Sequence, residues 1–321
     1  MIDVTSTAPI VIALGGNALV RRGEAGTIEQ QNLRAREALE PVADLISDGL
    51  RVVITHGNGP IVGNIIMRNE AAREIIPPMP LFIAGADSQG GIGFMLQNIL
   101  HNLLVSRGVT RPVAALVTQV VVDPSDPAFE RAAKPIGPYM GRAEVDLLAE
   151  ERGWSFIDAG DGLWRRVVPS PRPLHVVESA AVRSLTDADT VVIAAGGGGV
   201  PVTQQPDGAL QPVEAVVDKD WTSALLACEI GAATFAVLME ADALYRGWGT
   251  PEAARIERLT VAEANDLLAS GTLEAGSIAP KVAACAQFAA GCSGEGEAII
   301  CGSDALADAL SGRAGTRIVR G

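Results

Sequence analysis

Lys134, Lys219 and Lys281 are the only lysines in a chain that otherwise meets its need for positive charge with arginine, 25 basic residues in all. Arginine serves where surface charge or bidentate pairing suffices, whereas a compact ammonium on a flexible stem suits a mobile point charge that must meet phosphate oxygens. Lys219 stands in Val217-Asp218-Lys219-Asp220, one ammonium between two carboxylates immediately before a helical run. Carboxylates so placed hold an ammonium where negative charge develops on a transferring phosphoryl group, and Asp220 can orient a second lysine in the same way. Lys281, in Gly276-Ser277-Ile278-Ala279-Pro280-Lys281, is that second candidate, and Lys134, in Lys134-Pro135-Ile136-Gly137-Pro138, is the third.

Three glycine-bearing loops accompany the lysines: Gly15-Gly16-Asn17, Gly57-Asn58-Gly59 and Gly196 to Gly199. Each alone reads more readily as a tight turn than as a ligand site. At the carboxyl ends of parallel strands, however, such loops let backbone N–H groups approach an anion, and the following helix start adds partial positive charge. No G-x-x-x-x-G-K-[ST] and no G-x-G-x-x-G is present, so neither a P-loop nor a dinucleotide fold has support.

Aliphatic stretches over 10–14, 51–55, 113–122, 190–195 and 234–239 read as strands, and helical spacing follows over 35–47, 61–67, 85–104, 221–230 and from 281 through 288. Strands alternating with helices predict an α/β fold, a mainly parallel sheet covered on both faces. The stretch 200–217 predicts a hairpin turning at Pro206-Asp207-Gly208. Between 123 and 173 prolines become frequent and the rhythm breaks, which predicts an inserted lid that brings Lys134, with Arg165 and Arg166, over the site.

Composition excludes several classes. Hydrophobic residues make up 48% and charged residues 20%, so the chain buries a sizeable core and is not disordered. A net charge of −13 argues against nucleic acid as a partner. Cys228, Cys285, Cys292 and Cys301 form no C-x-x-C pair and have three histidines for company, so they read as core packing rather than as a zinc site. The apolar stretch at 9–14 reads as a first strand rather than a signal peptide, and no stretch reaches membrane-spanning length. A soluble cytoplasmic protein is the expectation.

Taken in order, Ala13-Leu14-Gly15-Gly16-Asn17-Ala18-Leu19, Thr55-His56-Gly57-Asn58-Gly59-Pro60, Ser88-Gln89-Gly90, Lys134-Pro135-Ile136-Gly137-Pro138, Arg165-Arg166-Val167-Val168-Pro169-Ser170-Pro171, the stretches 196–202 and 217–226, and Gly315-Thr316-Arg317-Ile318 resemble the carbamate kinases of the amino acid kinase superfamily. The resemblance spans nearly the whole chain. The His-Gly-Asn-Gly-Pro and Lys-Pro-Ile-Gly-Pro runs separate carbamate kinases from acetylglutamate, aspartate and uridylate kinases. The resemblance implies one open three-layer α/β/α sandwich over 1–321, with the lid over 123–173 inserted in it. It also implies a homodimer and the reaction ATP + carbamate ⇌ ADP + carbamoyl phosphate with Mg²⁺, running toward ATP in amino-acid or nitrogen catabolism. By the same resemblance Lys134 and the Gly57-Asn58-Gly59 backbone face the carbamate and the transferred phosphoryl group. Lys219 and Lys281 neutralise phosphate oxygens under the guidance of Asp220, and Gly15-Gly16-Asn17 cradles the phosphoryl group. The nucleotide falls to Met239, Asp242, Tyr245, Gly276, Ser277 and Lys281, and no metal ligand is implied.

Two departures stand out. Where the family typically reads Thr-Asp-Val-Asp this chain has Met239-Glu240-Ala241-Asp242, and a position often glycine is Ala279. They leave two alternatives beside carbamate kinase: a paralogue acting on another small carboxylate or carbamate, and a nucleotide-binding regulatory protein without turnover.

Overall fold

The computed structural model describes residues 8–15, 19–21, 24–274, 277–291 and 296–321. Its main sheet has eight strands: β1 (Ile10–Leu14), β2 (Val52–His56), β3 (Val113–Ala115), β9 (Val191–Ile193), β12 (Thr234–Met239), β15 (Arg258–Thr260), β16 (Glu297–Gly302) and β17 (Thr316–Val319). Their order is β15-β17-β16-β12-β1-β2-β9-β3, and every pairing is parallel except β16 with β17. The central strands β1, β2 and β9 are buried along their whole length and mostly aliphatic because both faces are covered.

Alternation along each strand divides the core in two. Val11, Ala13, Phe235, Val237 and Ile300 face α6 (Lys219–Glu229) and α8 (Ile278–Gly291) on one side, with α5 (Ser179–Asp187) and α7 (Val261–Ala269) at its margins. Ile12, Leu14, Ile54, Leu238 and Ile299 face α1 (Ile28–Ser47), α3 (Leu81–Ser106) and α9 (Leu306–Leu310) on the other. The three predicted layers are therefore present, and Gly15 after β1 and the glycine loop after β2 lie at the carboxyl edge of the sheet.

Helix starts differ from the spacing argument for a local reason. The first helix was expected from residue 35 but begins at Ile28, because Thr27 and Gln30 form a reciprocal capping box, each side chain bonding the other's backbone N–H at 3.3 and 3.1 Å. Likewise α6 begins at Lys219 and not at Trp221, since the Asp218 carboxylate caps it by accepting from Asp220 N–H at 2.9 Å.

The expected strand over 113–122 is two strands in two sheets. The chain leaves β3 at Leu116 and enters β4 (Gln119–Val122), which belongs to a four-stranded sheet of order β11-β10-β4-β8 with β8 (Pro173–Val176), β10 (Val200–Gln204) and β11 (Leu210–Pro212). The predicted hairpin is the β10–β11 pair, turning through Gly208 at φ +87°. Between β4 and β8 the chain builds a separate antiparallel sheet, β5 (Lys134–Met140), β7 (Trp164–Val168) and β6 (Ser155–Asp158) in that order, together with α4 (Arg142–Arg152). Val122 pairs with Pro173, so the insertion leaves and returns at adjacent points. A ribbon of β13 (Leu244–Arg246) and β14 (Ala254–Ile256) follows β12, and α2 (Gly59–Ala71) follows β2. Cys285 and Cys301 are free and buried as core residues; Cys228, partly buried and packed against the same core, is disulfide-bonded.

Phe288 of α8 is fully buried against Phe235 of β12, ring centroids 5.7 Å apart. Phe288→Ala should destabilise the chain by about 3–5 kcal/mol, read from urea unfolding, because the cavity forms under a helix with little freedom to collapse.

Candidate active site

Asp220 is the centre of the site. Lying in the first turn of α6 with its side chain 4% exposed, it accepts from Lys219 Nζ at 2.5 Å on one oxygen and from Lys281 Nζ at 3.0 Å on the other. Burial pushes its carboxyl pKa up, but the two ammonium charges and their hydrogen bonds outweigh this and hold it far below the usual range. Burial lowers Lys219 below the ordinary lysine value, against the pull of Asp220 and with the repulsion of Lys281. For Lys281 the pull of Asp220 overcomes burial and raises it. The trio carries two positive charges against one negative, so it has one unit of charge to offer an anion.

Lys134 arrives from β5 and donates to Asp218, whose other oxygen caps α6. All three lysines thus converge on the single segment 218–220, from three separate parts of the chain. Arg165 and Arg166 are instead engaged within the inserted sheet: Arg165 donates to the Gly137 carbonyl at 3.0 Å, and the Arg166 guanidinium lies 3.6 Å from the Trp154 ring centre.

The glycine loops bring the carboxyl edge together by close approach. A Cβ on Gly196 would meet His56 Nε2 at 2.4 Å, one on Gly197 the Asn58 amide at 2.1 Å, and one on Gly198 the Val217 carbonyl at 2.3 Å. No side chain fits there. Gly197, Gly198 and Gly199 also have positive φ, which glycine adopts without steric cost. Gly57 N–H donates to the Leu14 carbonyl at 3.2 Å, and Asn58 is buried and donates to Ser88 Oγ at 2.8 Å. Gly59 opens α2, and Gly15 lies against the Leu238 carbonyl. Gly16 and Asn17 of the same cradle, and Gly276, lie outside the described residues.

Several supporting residues were missed by the sequence reading. Thr55 and Ser223 hydroxyls lie 2.6 Å apart, and Ser223 donates to the Lys219 carbonyl at 2.6 Å, tying β2 to α6. Gln89 bonds Thr118 through backbone and side chain, and Thr118 Oγ1 accepts from Ala195 N–H at 2.7 Å, holding Ala195 at φ +50° ahead of the four glycines. Ser88-Gln89-Gly90 was noted only as a string, since no spacing rule links residues this far apart in sequence.

On the far side of Lys281 opens a cavity of about 1760 Å³, lined by Gly15, Met239, Tyr245, Ser277 and Lys281 among others. Asp242 is exposed and accepts from the Tyr245 hydroxyl at 3.0 Å, and Glu240 on the cavity wall is also exposed. A ligand with a sizeable body and an anionic end fits this space, with Lys281 where the cavity meets the charged trio. Among the described residues no three His, Cys, Asp or Glu side chains gather to hold a metal ion.

Residues 8–302 match the model of the amino acid kinase family. Carbamate kinase from Thermococcus kodakarensis is 43% identical over 97% of this chain and 99% of its own length, and that from Haemophilus influenzae 42% over 97% and 96%. The chain belongs to the amino acid kinase family and, within it, to the carbamate kinases. A solved carbamate kinase, that from Giardia lamblia bound to AMP-PNP, superposes with a TM-score of 0.90 at 35% identity, covering 97% of this chain and 98% of the other. An N-acetylglutamate synthase from Neisseria gonorrhoeae, 15% identical with a TM-score of 0.56 over 98% of this chain and 62% of its own, shares the fold alone.

In this carbamate kinase the motif histidine is structural in protonation. His56 is buried and its Nδ1 lies 3.0 Å from the Gly57 carbonyl, which can only accept, so the ring proton sits on Nδ1 and the ring is neutral. Burial drives its pKa down to about 4, opposed by the Gly57 carbonyl and helped by the Lys219 charge. The unfolded chain takes up a proton near pH 6.5 that the folded chain refuses until about pH 4. Stability is therefore full above 6.5 and falls as pH drops through that window, by roughly 3 kcal/mol. Urea midpoints taken from pH 7.5 to 4.5 should decline in the wild type and decline less in His56→Asn; equal slopes would show that His56 is not the group responsible.

Proposed function

We propose that this chain transfers a phosphoryl group between carbamoyl phosphate and ADP, giving ATP and carbamate. The observation that carries the reading is the convergence of the chain's three lysines on residues 218–220, with Lys281 also lining a cavity large enough to admit a nucleotide. Transfer to ADP is the expected direction, because the phosphoryl group leaves a high-energy mixed anhydride, and this suits a role in amino-acid or nitrogen catabolism in the cytoplasm.

A β-phosphate oxygen of ADP attacks phosphorus as the bond to the carbamate oxygen breaks, and carbamate leaves as an anion. Both oxygens are ionised already, so no general base is needed and the protein's work is placement and charge stabilisation. Lys219 neutralises the oxygens of the phosphoryl group in flight. Lys281, at the cavity boundary, serves the nucleotide phosphates, and Asp220 aims both. Lys134 and the Gly57-Asn58-Gly59 backbone hold the carbamate side, with Gly15, Gly16 and Asn17 beneath the phosphoryl group. Met239, Asp242, Tyr245, Gly276 and Ser277 belong to the nucleotide side, where an exposed Glu240 imposes no buried negative charge. Mg²⁺, arriving on the nucleotide phosphates, supplies the remaining neutralisation when bound.

The insertion over 123–173 acts as a lid on this reading, supported by its own sheet and by the paired residues at its root. The chain is also read as a homodimer through α3, whose outer stripe of Ile83, Asp87, Gly91, Phe94 and Val105 is exposed, Phe94 at 68%. No helix among the described residues is long and apolar enough to cross a membrane.

Purified protein given carbamoyl phosphate and MgADP should produce ATP in a luciferase assay. ATP no higher than the non-enzymatic background would overturn the reading, in favour of the regulatory alternative if nucleotide still binds. Lys219→Arg should lose nearly as much turnover as Lys219→Ala, about 10²- to 10³-fold, since the planar fork cannot replace an ammonium that shares the Asp220 carboxylate with Lys281. Turnover within threefold of wild type would show that the lysine is not chemically required.

A further inference from the structure

Lys134 comes to the site from the inserted sheet, so its position depends on how that sheet is seated. The seat is backbone on backbone: Gly63, in the interior of α2, lies so close to Gly137 of β5 that a Cβ on Gly63 would stand 1.9 Å from Gly137 Cα and 2.3 Å from its nitrogen. A helix-interior glycine costs about 1 kcal/mol against alanine, and here the contact with β5 accounts for it. Gly137 itself has φ +72°, three residues from Lys134. The second fixed point is Asp218, which caps α6 with one oxygen and receives Lys134 Nζ on the other.

We propose that Gly63 and Asp218 are positioning residues for Lys134, the first setting the height of β5 over α2 and the second the reach of the ammonium toward the transferring group. This rests on the carbamate kinase reading, in which Lys134 serves the carbamate side. With alanine at 63, β5 must retreat by about 1.5 Å to regain ordinary van der Waals contact, and a misplacement of about 1 Å costs on the order of 10²-fold in rate. Asn caps a helix as well as Asp does, so Asp218→Asn removes the ion pair while keeping the cap.

The test is a mutant cycle in the full chain: Gly63→Ala and Asp218→Asn, each alone and each combined with Lys134→Ala, assayed for ATP formation and, by calorimetry, for ADP binding. Gly63→Ala should lower kcat/KM for carbamoyl phosphate by about 10²-fold and Asp218→Asn by about tenfold, with the Kd for ADP within about twofold of wild type. Added to Lys134→Ala, either change should cost less than about threefold more, because the residue it positions is gone. Multiplicative losses in the double variants, wild-type activity in the single ones, or a parallel loss of ADP binding would overturn the proposal. If Gly63→Ala does not fold, the Asp218→Asn arm decides by the same criteria. A wild-type chain that makes no ATP would defeat the functional reading and leave the seat to a substrate-free measurement: amide exchange across β5 and β7 should quicken in Gly63→Ala relative to β12, and unchanged exchange would refute the seat.

Discussion

The burial of Asp220 is the constraint from which the site follows. An ionised carboxylate removed from water costs several kcal/mol unless it is paired and fully hydrogen-bonded. Here each oxygen takes one lysine, and the two lysines come from α6 and α8. Satisfying one charge therefore locks two helices side by side across the same face of the sheet, where Val282, Cys285 and Phe288 complete the packing. The ion cluster and the hydrophobic core require the same helix placement, and neither tolerates a shift of α8 along α6.

A second constraint is the distance of approach at the carboxyl edge. Strands β2 and β9 end beside each other, and the end of β2 and the two loops that follow bring His56, Asn58 and four glycines into one volume. Glycine there is imposed by the neighbours: with any side chain at 196, 197 or 198 the loop would be driven from His56, Asn58 or Val217. Thr222 fastens the result by donating to the Gly198 carbonyl at 2.9 Å, so the loop after β9 is joined to the helix that bears Lys219 and Asp220.

Much of this was legible in the sequence because the relevant signals are local. Periodicity gave the strands β1 and β12 at their observed limits and the alternation that makes the sheet parallel, and the rarity of lysine marked Lys134, Lys219 and Lys281. What stayed hidden depends on contacts across the chain. The break between β3 and β4 follows from Thr118 turning to meet Gln89, 29 residues away, and apolar spacing over 113–122 carries no trace of it. Asp218 read as a flanking charge beside Lys219, whereas its partner is Lys134, 84 positions earlier. Helix starts were misplaced wherever a capping side chain, Thr27 or Asp218, and not the apolar stripe, set the first turn.

The choice of lysine over arginine follows from counting donors. A guanidinium pairs with a carboxylate through two parallel N–H groups and would occupy both oxygens of Asp220 by itself, leaving the second cation buried and unpaired. An ammonium has three N–H donors and no acceptor. With Lys219 on one oxygen and Lys281 on the other, each spends one donor on Asp220 and keeps others to present to an incoming anion. In a chain of net charge −13 no general field draws phosphate inward, so attraction has to arise from this local surplus of one positive charge. Three lysines, one shared carboxylate and one capping carboxylate meet that need with the fewest buried charges, and the abundant arginines are left to the surface and to the aromatic faces of Trp154 and Trp221.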